Sequence, residues 1–352
     1  MLTNKRNRIN LKQLTKEGMY RFIGEEGLPD YRAEQLIHWI YERHVTGTDG
    51  ITEFSKDFRK HLNEIAFISN LNLVERLRSS DGTEKFLFAL EDGQTIESVL
   101  MSDDGRLTLC ISSQVGCATG CLFCLTGRCG LIRNLKAYEI VDQIIAVNRI
   151  LAADGVDGKA VTNIVFMGMG EPLSNVDQVV EALWRIVDFM GISKRKITLS
   201  TSGIVPKILL LPKKAPDINL AVSLNATTDE VRNEIMPVNK RYPIKTLIAA
   251  CRKYPLQPSR RLTIEYVLIG GKNDSVDDAK RLVDLLKGIR CKVNLIPFNP
   301  HEGSDLKRPP DHRVLEFQKI LSGHHLRVFI RESRGQDILA ACGQLRAKTF
   351  RQ

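Results

Sequence analysis

The fold is decided by Asn163-Ile164-Val165-Phe166-Met167-Gly168-Met169-Gly170-Glu171-Pro172, a short apolar run that leads directly into two glycines and a carboxylate. In barrels of parallel strands, catalytic groups lie where the strands end, and glycines there let the backbone approach a ligand. A carboxylate at such a position can hold an ammonium group. The alternative is that Glu171 only caps the helix that follows. We therefore expect a ligand site at the end of this strand.

Outward from this stretch, apolar β-branched runs alternate with helical patterns. One helical face is made by Val176, Val179, Val180, Leu183, Ile186, Val187 and Met190, and a second falls within residues 140–151. Near-continuous apolar strands covered by helices are typical of a parallel sheet, and repeated βα units of this length indicate a full or partial barrel. The predicted strands are residues 163–167, 196–200, 219–224, 262–268 and 292–297. We predict an α/β fold, a partial (β/α)6 TIM-like barrel, over residues 96–345.

The first 95 residues have a different pattern, which predicts a small α+β accessory domain. Residues 9–25 and 31–44 look helical, with a break at Gly27-Leu28-Pro29. Residues 85–90 and 95–101 alternate like an antiparallel pair around Asp92-Gly93. The basic N-terminal segment makes RNA contact one expected role for this domain, and bracing of the barrel is the other. Residues 346–352 are expected to be a tail.

Composition limits the classes of protein to which the chain can belong. The chain has 352 residues, 43% of them hydrophobic, and no apolar run approaches the ~18 residues of a membrane span. The N-terminus lacks a secretory h-region, so we expect a cytoplasmic protein without a membrane partner. A formal charge of +10 favours a polyanionic partner, most economically a nucleic acid. Each short basic cluster, such as residues 194–196, is by itself explained as a solvated face.

Three cysteines precede the glycine-rich stretch by roughly 45 residues, in the run Cys117-Ala-Thr-Gly-Cys121-Leu-Phe-Cys124. A structural zinc site usually has four protein ligands, whereas three thiolates on one loop suit an iron–sulfur cube with one iron left open. The alternative is a zinc knuckle completed by Cys110 or Cys129. The eight cysteines of the chain are too few for a disulfide scaffold.

The three-cysteine run and the glycine-rich stretch together resemble the signatures of the radical S-adenosylmethionine (SAM) superfamily. Further motifs are similar to those of the RlmN/Cfr family, the radical SAM methyltransferases of ribosomal RNA adenines, colinearly from about Leu28 to Leu345. These motifs are Leu109-Cys110-Ile-Ser-Ser-Gln-Val-Gly-Cys117, Arg133-Asn134-Leu135, Phe166–Leu173 around Gly170, Ser200-Thr201-Ser202-Gly203, Asn294-Leu-Ile-Pro-Phe-Asn299-Pro300 and Ala341-Cys342-Gly343-Gln344-Leu345.

The resemblance implies two cofactors and the residues that hold them. Cys117, Cys121 and Cys124 would bind a 4Fe-4S cluster, and the amino and carboxylate groups of SAM would fill its open iron. The SAM contacts carried over by matching position are Gly170, Glu171, Ser200, Ser223, Leu224, Asn225 and Asn299. Many members have histidine at position 225. Because an amide cannot titrate, a proton-transfer role there is in doubt.

The resemblance also implies a route for the methyl group. An adenine ring carbon such as C2 is too electron-poor to attack SAM, so the Cys342 thiolate first takes a methyl group from one SAM. A second SAM at the cluster gives a 5′-deoxyadenosyl radical, which takes a hydrogen from this S-methyl group. The methylene radical then adds to the ring carbon. Glu97 matches the family position of the proton acceptor, and Cys110 matches the thiol that resolves the adduct by a transient disulfide with Cys342.

From the residues alone, other roles are open for these side chains. Cys110 and Cys342 lie in apolar contexts and can be inert core thiols. Glu97 can be an exposed strand carboxylate. Cys129, Cys251 and Cys291 match no catalytic position, and we expect them to be structural.

Within the family, Pro172, Ser202 and residues 331–335 look like the branch that methylates C2 of an adenosine in the peptidyl-transferase region of 23S rRNA. The alternative branch methylates C8 of the same base. Some C2 enzymes also act on the adenosine 3′ of certain tRNA anticodons. A flavodoxin-type reductant is implied, and no obligate protein partner is evident. From another class, a zinc-stabilised RNA-binding module without catalysis explains the charge and the three-cysteine loop, but leaves Glu171 and Cys342 without a role.

Overall fold

The N-terminal part of the chain is a small helical unit. The computed structural model describes residues 8–103, 105–156, 161–301 and 303–346. Helices α1 (Lys16–Glu25), α2 (Tyr31–Tyr41) and α3 (Lys56–Ile65) are joined by a two-stranded parallel pair, β1 (Ile9–Asn10) with β2 (Ala66–Phe67). Of the basic N-terminal segment expected to contact RNA, residues 1–7 lie outside the described residues.

A ten-stranded sheet forms the rest of the framework, in the order β14-β13-β12-β11-β10-β9-β6-β5-β4-β3. Its first four strands in sequence pair antiparallel, one after another. They are β3 (Asn72–Arg78), β4 (Glu84–Ala89), β5 (Thr95–Asp103) and β6 (Arg106–Cys110). From β6 onward every pairing is parallel, so the sheet changes from a meander into a barrel at this strand.

The parallel part consists of six βα units and a seventh strand, and it confirms the predicted partial (β/α)6 barrel. The strands that follow β6 are β9 (Asn163–Phe166), β10 (Ile197–Thr201), β11 (Asn219–Ser223), β12 (Leu262–Leu268), β13 (Cys291–Pro297) and β14 (Arg327–Ile330). The intervening helices are α5 (Ala137–Ala153), α6 (Val176–Asp188), α7 (Val205–Lys214), α8 (Asp229–Ile235), α9 (Ile244–Lys253), α10 (Val276–Leu286) and α11 (Asp311–Gly323).

Shorter elements lie around the cysteine loop and between the units. A hairpin, β7 (Gln114–Gly116) with β8 (Leu131–Asn134), encloses helix α4 (Leu125–Arg128). The 3-10 turns are Leu11–Gln13, Thr48–Gly50, Pro172–Asn175, Lys194–Lys196, Pro237–Lys240 and Gln336–Ile338. Within the described residues, no helix combines the length and apolar character that crossing a membrane requires.

Buried polar contacts fasten the N-terminal unit to the barrel. The Lys12 ammonium donates to the Asp142 carboxylate of α5 over 2.5 Å, and both side chains are buried. Arg185 of α6 donates to the Lys12 carbonyl and to the Tyr41 hydroxyl. Breaking one partner of such a buried charged pair is costly, so this contact favours the bracing role for the accessory domain.

Several elements differ from the sequence-based expectations. The helix expected over residues 9–25 begins only at Lys16, because Thr15 caps it by accepting from the Gly18 backbone N–H. Helix α3 and strands β3 and β14 were not predicted. The hairpin around Asp92-Gly93 is present as β4 and β5. Since the sheet runs without interruption across residue 95, the domain division proposed there remains a prediction.

Candidate active site

The three-cysteine loop is held in place by backbone contacts on both sides. The Cys117 N–H donates to the Gly130 carbonyl over 2.8 Å, and the Leu122 N–H donates to the Ile235 carbonyl over 3.0 Å. Gly116 has φ +77°, and a Cβ there would lie 1.9 Å from the Gly130 oxygen. Only glycine therefore lets β7 approach β8 closely enough to close the base of the loop.

Cys117, Cys121 and Cys124 line one cavity, which is partly open to solvent. Burial raises the pKa of all three, and for Cys121 the negative charges of Cys124 and Cys117 raise it further. Three thiolates here need a cationic centre to be stable together. Three thiols on one loop suit a multi-iron cluster with one open iron better than a zinc site, which usually has four protein ligands.

The glycine-rich strand end packs against the segment that leads into the cysteine loop. A Cβ on Gly168 would lie 2.7 Å from the Ile111 carbonyl oxygen, and one on Gly170 would lie 2.6 Å from the Gln114 Cβ. The Gln114 side chain also accepts from the Glu171 N–H over 2.8 Å. These contacts fix the end of β9 beside the cluster loop.

Glu171 is a buried carboxylate with several hydrogen-bond donors. Its oxygens accept from the Leu173 N–H at 3.0 Å, the Thr201 hydroxyl at 2.7 Å and the Ser202 N–H at 2.7 Å. Burial raises its pKa, and these hydrogen bonds oppose the rise. It forms no salt bridge with any described residue. An anion that is oriented by neutral donors and faces a cavity can accept the ammonium group of a ligand.

The other predicted SAM contacts divide into two groups. Ser200, Ser223, Asn225 and Asn299 line the cavity together with Gly170 and Glu171. Leu224 does not line the cavity, because its side chain is buried in the core and only its backbone faces the neighbouring strands.

The two asparagines have different surroundings. Asn225 has φ +59°, and its amide oxygen accepts from the Val267 N–H over 2.8 Å while its amide nitrogen faces the Met236 sulfur. The Asn225 side chain therefore fastens β11 to β12. The buried Oδ1 of Asn299 has no partner among the described residues, although its amide nitrogen donates to the Cys342 carbonyl over 3.3 Å. An unpartnered buried acceptor at a cavity wall fits a donor supplied by a ligand.

Sequence reasoning missed two charged residues of this site. Arg232 is fully buried and donates to the carbonyls of Ser202, Ser223 and Leu224, so it ties the ends of β10 and β11 together. Burial lowers its pKa to about 10. No pattern in the sequence of α8 marks this arginine.

Glu265 is the second missed residue, and it lines the cavity from β12. Burial raises its pKa to about 7, although Asn294 donates to its carboxylate over 3.0 Å. A carboxylate in the otherwise apolar run of residues 262–268 was a signal that could have revealed it.

Cys342 reaches the cavity from the C-terminal segment, defined here as residues 334–346. The Leu125 N–H donates to the Gly343 carbonyl over 2.7 Å, and the Thr126 hydroxyl donates to the Leu345 carbonyl over 2.5 Å. The thiol is accessible from the cavity but surrounded by protein atoms. This burial raises its pKa to about 11, the charge of Glu265 adds to the rise, and Arg331 opposes it. The segment thus brings Cys342 onto the cluster loop.

Cys110 lies buried at the end of β6. Burial raises the pKa of its thiol well above the ordinary value, and the charge of a Cys342 thiolate raises it further. The two residues are 232 positions apart in sequence. All eight cysteines are free thiols. Cys251 and Cys291 are buried in the barrel core, whereas Cys129 is exposed.

Glu97 is buried in the middle of β5, so its interpretation as an exposed strand carboxylate is wrong. One carboxylate oxygen pairs with the Lys85 ammonium at 3.3 Å, and the other accepts from the Arg346 N–H at 2.9 Å. Cys110 and Glu97 lie on adjacent strands, in the register that pairs Val99 with Cys110. The structure therefore brings Glu97, Cys110 and the C-terminal segment to the same end of the barrel.

Comparison with known proteins agrees with this geometry. Residues 9–68 match the ribosomal RNA large subunit methyltransferase N-terminal domain, and residues 111–286 match the radical SAM superfamily. A dual-specificity RNA methyltransferase RlmN of Geotalea uraniireducens is 50% identical over 343 residues, 97% of each chain. That of Syntrophotalea carbinolica is 52% identical and covers 97% of this chain and 90% of its own.

The chain belongs to the RlmN family of radical SAM methyltransferases. A solved structure supports the same assignment: that of a radical SAM methyltransferase from Sphaerobacter thermophilus has a TM-score of 0.90 at 43% identity and covers 96% of this chain and 99% of its own. As a family member the chain is an enzyme, a transferase that uses a 4Fe-4S cluster and SAM. The site fits both groups, since three cysteines, the buried Glu171 carboxylate and an Asn299 oxygen that has no partner within the described residues line one cavity.

Proposed function

We propose that this enzyme methylates C2 of an adenosine in the peptidyl-transferase region of 23S rRNA, and that Cys342 carries the methyl group. The observation that carries the proposal is the position of Cys342 on the wall of the three-cysteine cavity, with Cys110 near enough for the Cys342 charge to raise its pKa despite their separation in sequence. A route through an S-methylcysteine and a transient disulfide needs a thiol at the cavity and a second thiol that can reach it, because a disulfide needs Cα atoms within ~7 Å.

Each residue has a role in this route. The Cys342 thiolate accepts a methyl group by nucleophilic displacement, and its S-methyl carbon then becomes the carbon delivered to the adenine. When bound, the cluster and SAM supply the one-electron chemistry that activates this carbon. Glu97 accepts the proton that leaves the ring. Cys110 resolves the thioether: its thiolate attacks the Cys342 sulfur, and the bond from that sulfur to the methylene carbon breaks. The carbon leaves with the electron pair and takes up a proton as the new methyl group, while the Cys110–Cys342 disulfide forms.

Residues at the ends of the barrel strands bind and orient SAM. We assign the cluster to Cys117, Cys121 and Cys124. We assign the SAM ammonium to Glu171, which is a buried carboxylate without a salt bridge to any residue that the structure describes. The remaining SAM contacts are Gly170, Ser200, Ser223, Leu224, Asn225 and Asn299, and we expect Leu224 to contribute only backbone groups.

The assignment to C2 rather than C8 rests on the resemblance of Pro172, Ser202 and residues 331–335 to the C2 branch of the family. Pro172 and Ser202, which look like the C2 branch, both line it. Arg334, the third such residue, donates to the Ser102 carbonyl over 2.6 Å and so helps to fix the C-terminal segment.

The partners follow from the substrate. RNA is the substrate class, and we propose 23S rRNA together with the adenosine 3′ of some tRNA anticodons. We expect a flavodoxin-type reductant and a cytoplasmic location, where rRNA is modified. We propose residues 1–95 as the accessory domain, residues 96–345 as the catalytic barrel and residues 346–352 as a tail.

Nucleoside analysis tests this proposal. A 23S rRNA fragment is incubated anaerobically with the reconstituted enzyme, SAM and a reductant, then digested for mass spectrometry. We expect 2-methyladenosine from the parent and from Cys129→Ala, whose thiol lies outside the cavity, and none from Cys342→Ala. Mainly 8-methyladenosine would place the enzyme in the other branch. A colourless, zinc-loaded protein without the ~4 irons of a cluster would support the non-catalytic alternative.

A further inference from the structure

The C-terminal segment is fastened to the barrel at two separate places. Its second half, around Gly343 and Leu345, lies on the cluster loop as described above. Its first half lies on the turn between β3 and β4, residues 79–83, which belongs to the antiparallel part of the sheet. Cys342 therefore sits between two docking places that are far apart in sequence.

Two aspartates make reciprocal contacts at the second of these places. Asp81 of the turn accepts from the Gly335 N–H of the segment over 2.8 Å. Asp337 of the segment accepts from the Ser79 hydroxyl over 2.6 Å and from the Ser80 N–H over 3.1 Å. The turn and the segment thus each contribute one carboxylate, which accepts hydrogen bonds from the other. We call this pair of contacts the aspartate clasp.

Local backbone geometry fits the clasp. Gly335 has φ +63°, and a Cβ there would lie 2.7 Å from the Ala340 Cβ and 3.0 Å from the Thr83 Cγ2. The Ala340 N–H donates to the Gly335 carbonyl over 2.8 Å, which closes residues 335–340 into a compact loop. Lys85 donates to the Leu339 carbonyl over 3.2 Å. The segment therefore stays fixed up to Leu339, three residues before Cys342.

The electrostatics of the clasp agree with charged carboxylates. Burial acts to raise the pKa of Asp81, but hydrogen bonds from Gly335, Thr83 and Ser79 outweigh it and lower the pKa to about 2. The Ser79 hydroxyl and the Ser80 N–H lower the pKa of Asp337. Both groups are therefore ionised acceptors at neutral pH, and hydrogen bonds to charged acceptors are stronger than those to neutral ones.

We propose that Asp81 and Asp337 are positioning residues that anchor the first half of the C-terminal segment, so that Cys342 moves between its reaction partners on a short tether. The proposal rests on the proposed role of Cys342 as methyl carrier. Gly343 is held on the cluster loop and Leu339 is held by Lys85, so the Cys342 thiol can travel only as far as the residues between them allow, at most roughly 10 Å from Leu339. It must meet SAM, the adenine and Cys110 within that distance. The β3–β4 hairpin, which lies outside the barrel, thereby takes part in the reaction.

Loss of the clasp lengthens the tether. Without the clasp, this stretch keeps only the single hydrogen bond from Lys85 to Leu339, and the fixed point before it is Arg334, which donates to the Ser102 carbonyl eight residues before Cys342. Effective concentration falls with about the −3/2 power of the length of free chain, so a change from three residues to eight lowers it roughly fourfold. SAM binding and cluster binding do not depend on the tether. The predicted defect is therefore selective for steps that use the Cys342 sulfur.

The test compares the reconstituted parent with Asp81→Ala/Asp337→Ala and with the control Asp284→Ala, whose carboxylate pairs locally with Lys287. The first readout, in the absence of SAM and RNA, is the alkylation rate of Cys342 by iodoacetamide relative to exposed Cys129 in the same chain. We expect a several-fold increase in the double variant alone. The second is the ratio of 5′-deoxyadenosine to methylated RNA, which should rise by up to roughly fourfold with iron content and SAM affinity unchanged.

The two readouts distinguish failure of the clasp proposal from failure of the proposed function. If the double variant keeps the parental alkylation rate and the parental ratio, the clasp does not position Cys342. A parent that forms no methylated RNA contradicts the proposed function, while the alkylation comparison still decides the clasp. Asp337→Asn, which keeps the shape and removes the charge, is measured alongside to separate positioning from folding. It should shift both readouts in the same direction by a smaller factor, and a parental alkylation rate in this variant contradicts the proposal.

Discussion

The barrel-strand ends and the C-terminal segment meet at one cavity but are built in different ways. At the strand ends, Gly168, Gly170 and Glu171 are fixed by close packing and by hydrogen bonds to neighbouring strands. The C-terminal segment contains one 3-10 turn, and Gly335, Leu339 and Gly343 all have positive φ. Its fixed points are supplied by distant parts of the chain. The strand ends are suited to holding cofactors, and the segment is suited to carrying a group between them.

The largest effect is expected at the cluster loop. Cys121→Ala should lose the iron and all cleavage of SAM, because two thiolates cannot hold the cube. Cys129→Ala, with an exposed thiol outside the cavity, should keep both. Iron content and 5′-deoxyadenosine formation are measured. If the Cys121 variant still forms 5′-deoxyadenosine, the assignment of the cluster to Cys117, Cys121 and Cys124 is wrong.

The carboxylate at the end of β9 gives the next largest effect. Glu171→Gln removes the charge that three donors orient, so SAM should bind roughly 10- to 100-fold more weakly, as expected for a charged hydrogen-bonded contact. Cluster content should not change, because Glu171 is not a cluster ligand in this account. Anaerobic titration calorimetry with SAM provides the affinity. An unchanged Kd would show that another group receives the ammonium.

A smaller effect, on the pH dependence of stability, is expected at Glu265, which lines the cavity from β12 and whose charge acts on Cys342. Its pKa is raised from 4.5 to about 7 in the folded protein. The protonated form therefore stabilises the fold below pH 4.5, and this contribution is lost as the pH rises through 7. Its upper limit is about 3 kcal/mol.

Glu265→Gln mimics the protonated carboxyl group, so it should remove the loss of folding stability that Glu265 causes as the pH rises. Relative to the parent, the variant should gain stability at about pH 8 and little at about pH 4.5. Thermal unfolding at both pH values measures the difference. An equal shift at the two pH values would mean that Glu265 does not titrate with a raised pKa.

The barrel could be predicted because its strands and helices have strong local patterns. The apolar run of residues 262–268 coincides with β12, and the helical face from Val176 belongs to α6. Strand β14 was missed because it is short and half-exposed, so its sequence lacks a clear apolar run. Helix α3 was missed because only Leu62 is buried in it.

The site was predicted unevenly for a physical reason. The cysteine loop and the Gly170-Glu171 strand end are contiguous motifs, so their chemistry is visible in sequence. Arg232 acts through backbone carbonyls of strands that fold beside it, and no local pattern records such contacts. The same holds for the contact between Asp337 and Ser79. The roles of Cys110 and Cys342 came from the family resemblance, and only the fold brings them together.

The methyl-carrier role of Cys342 is tested most directly by asking whether RNA stays covalently attached to the Cys110→Ala enzyme. If Cys342 carries the methyl carbon and Cys110 resolves the adduct, this variant should still cleave SAM, methylate Cys342 and attack adenine. It should then stall with RNA attached to Cys342 through a methylene bridge. Nuclease digestion and peptide mass spectrometry should show a nucleotide-sized mass on Cys342. A Cys110→Ala enzyme that releases methylated RNA at the parental rate, with no adduct, would contradict the route through Cys342 and Cys110.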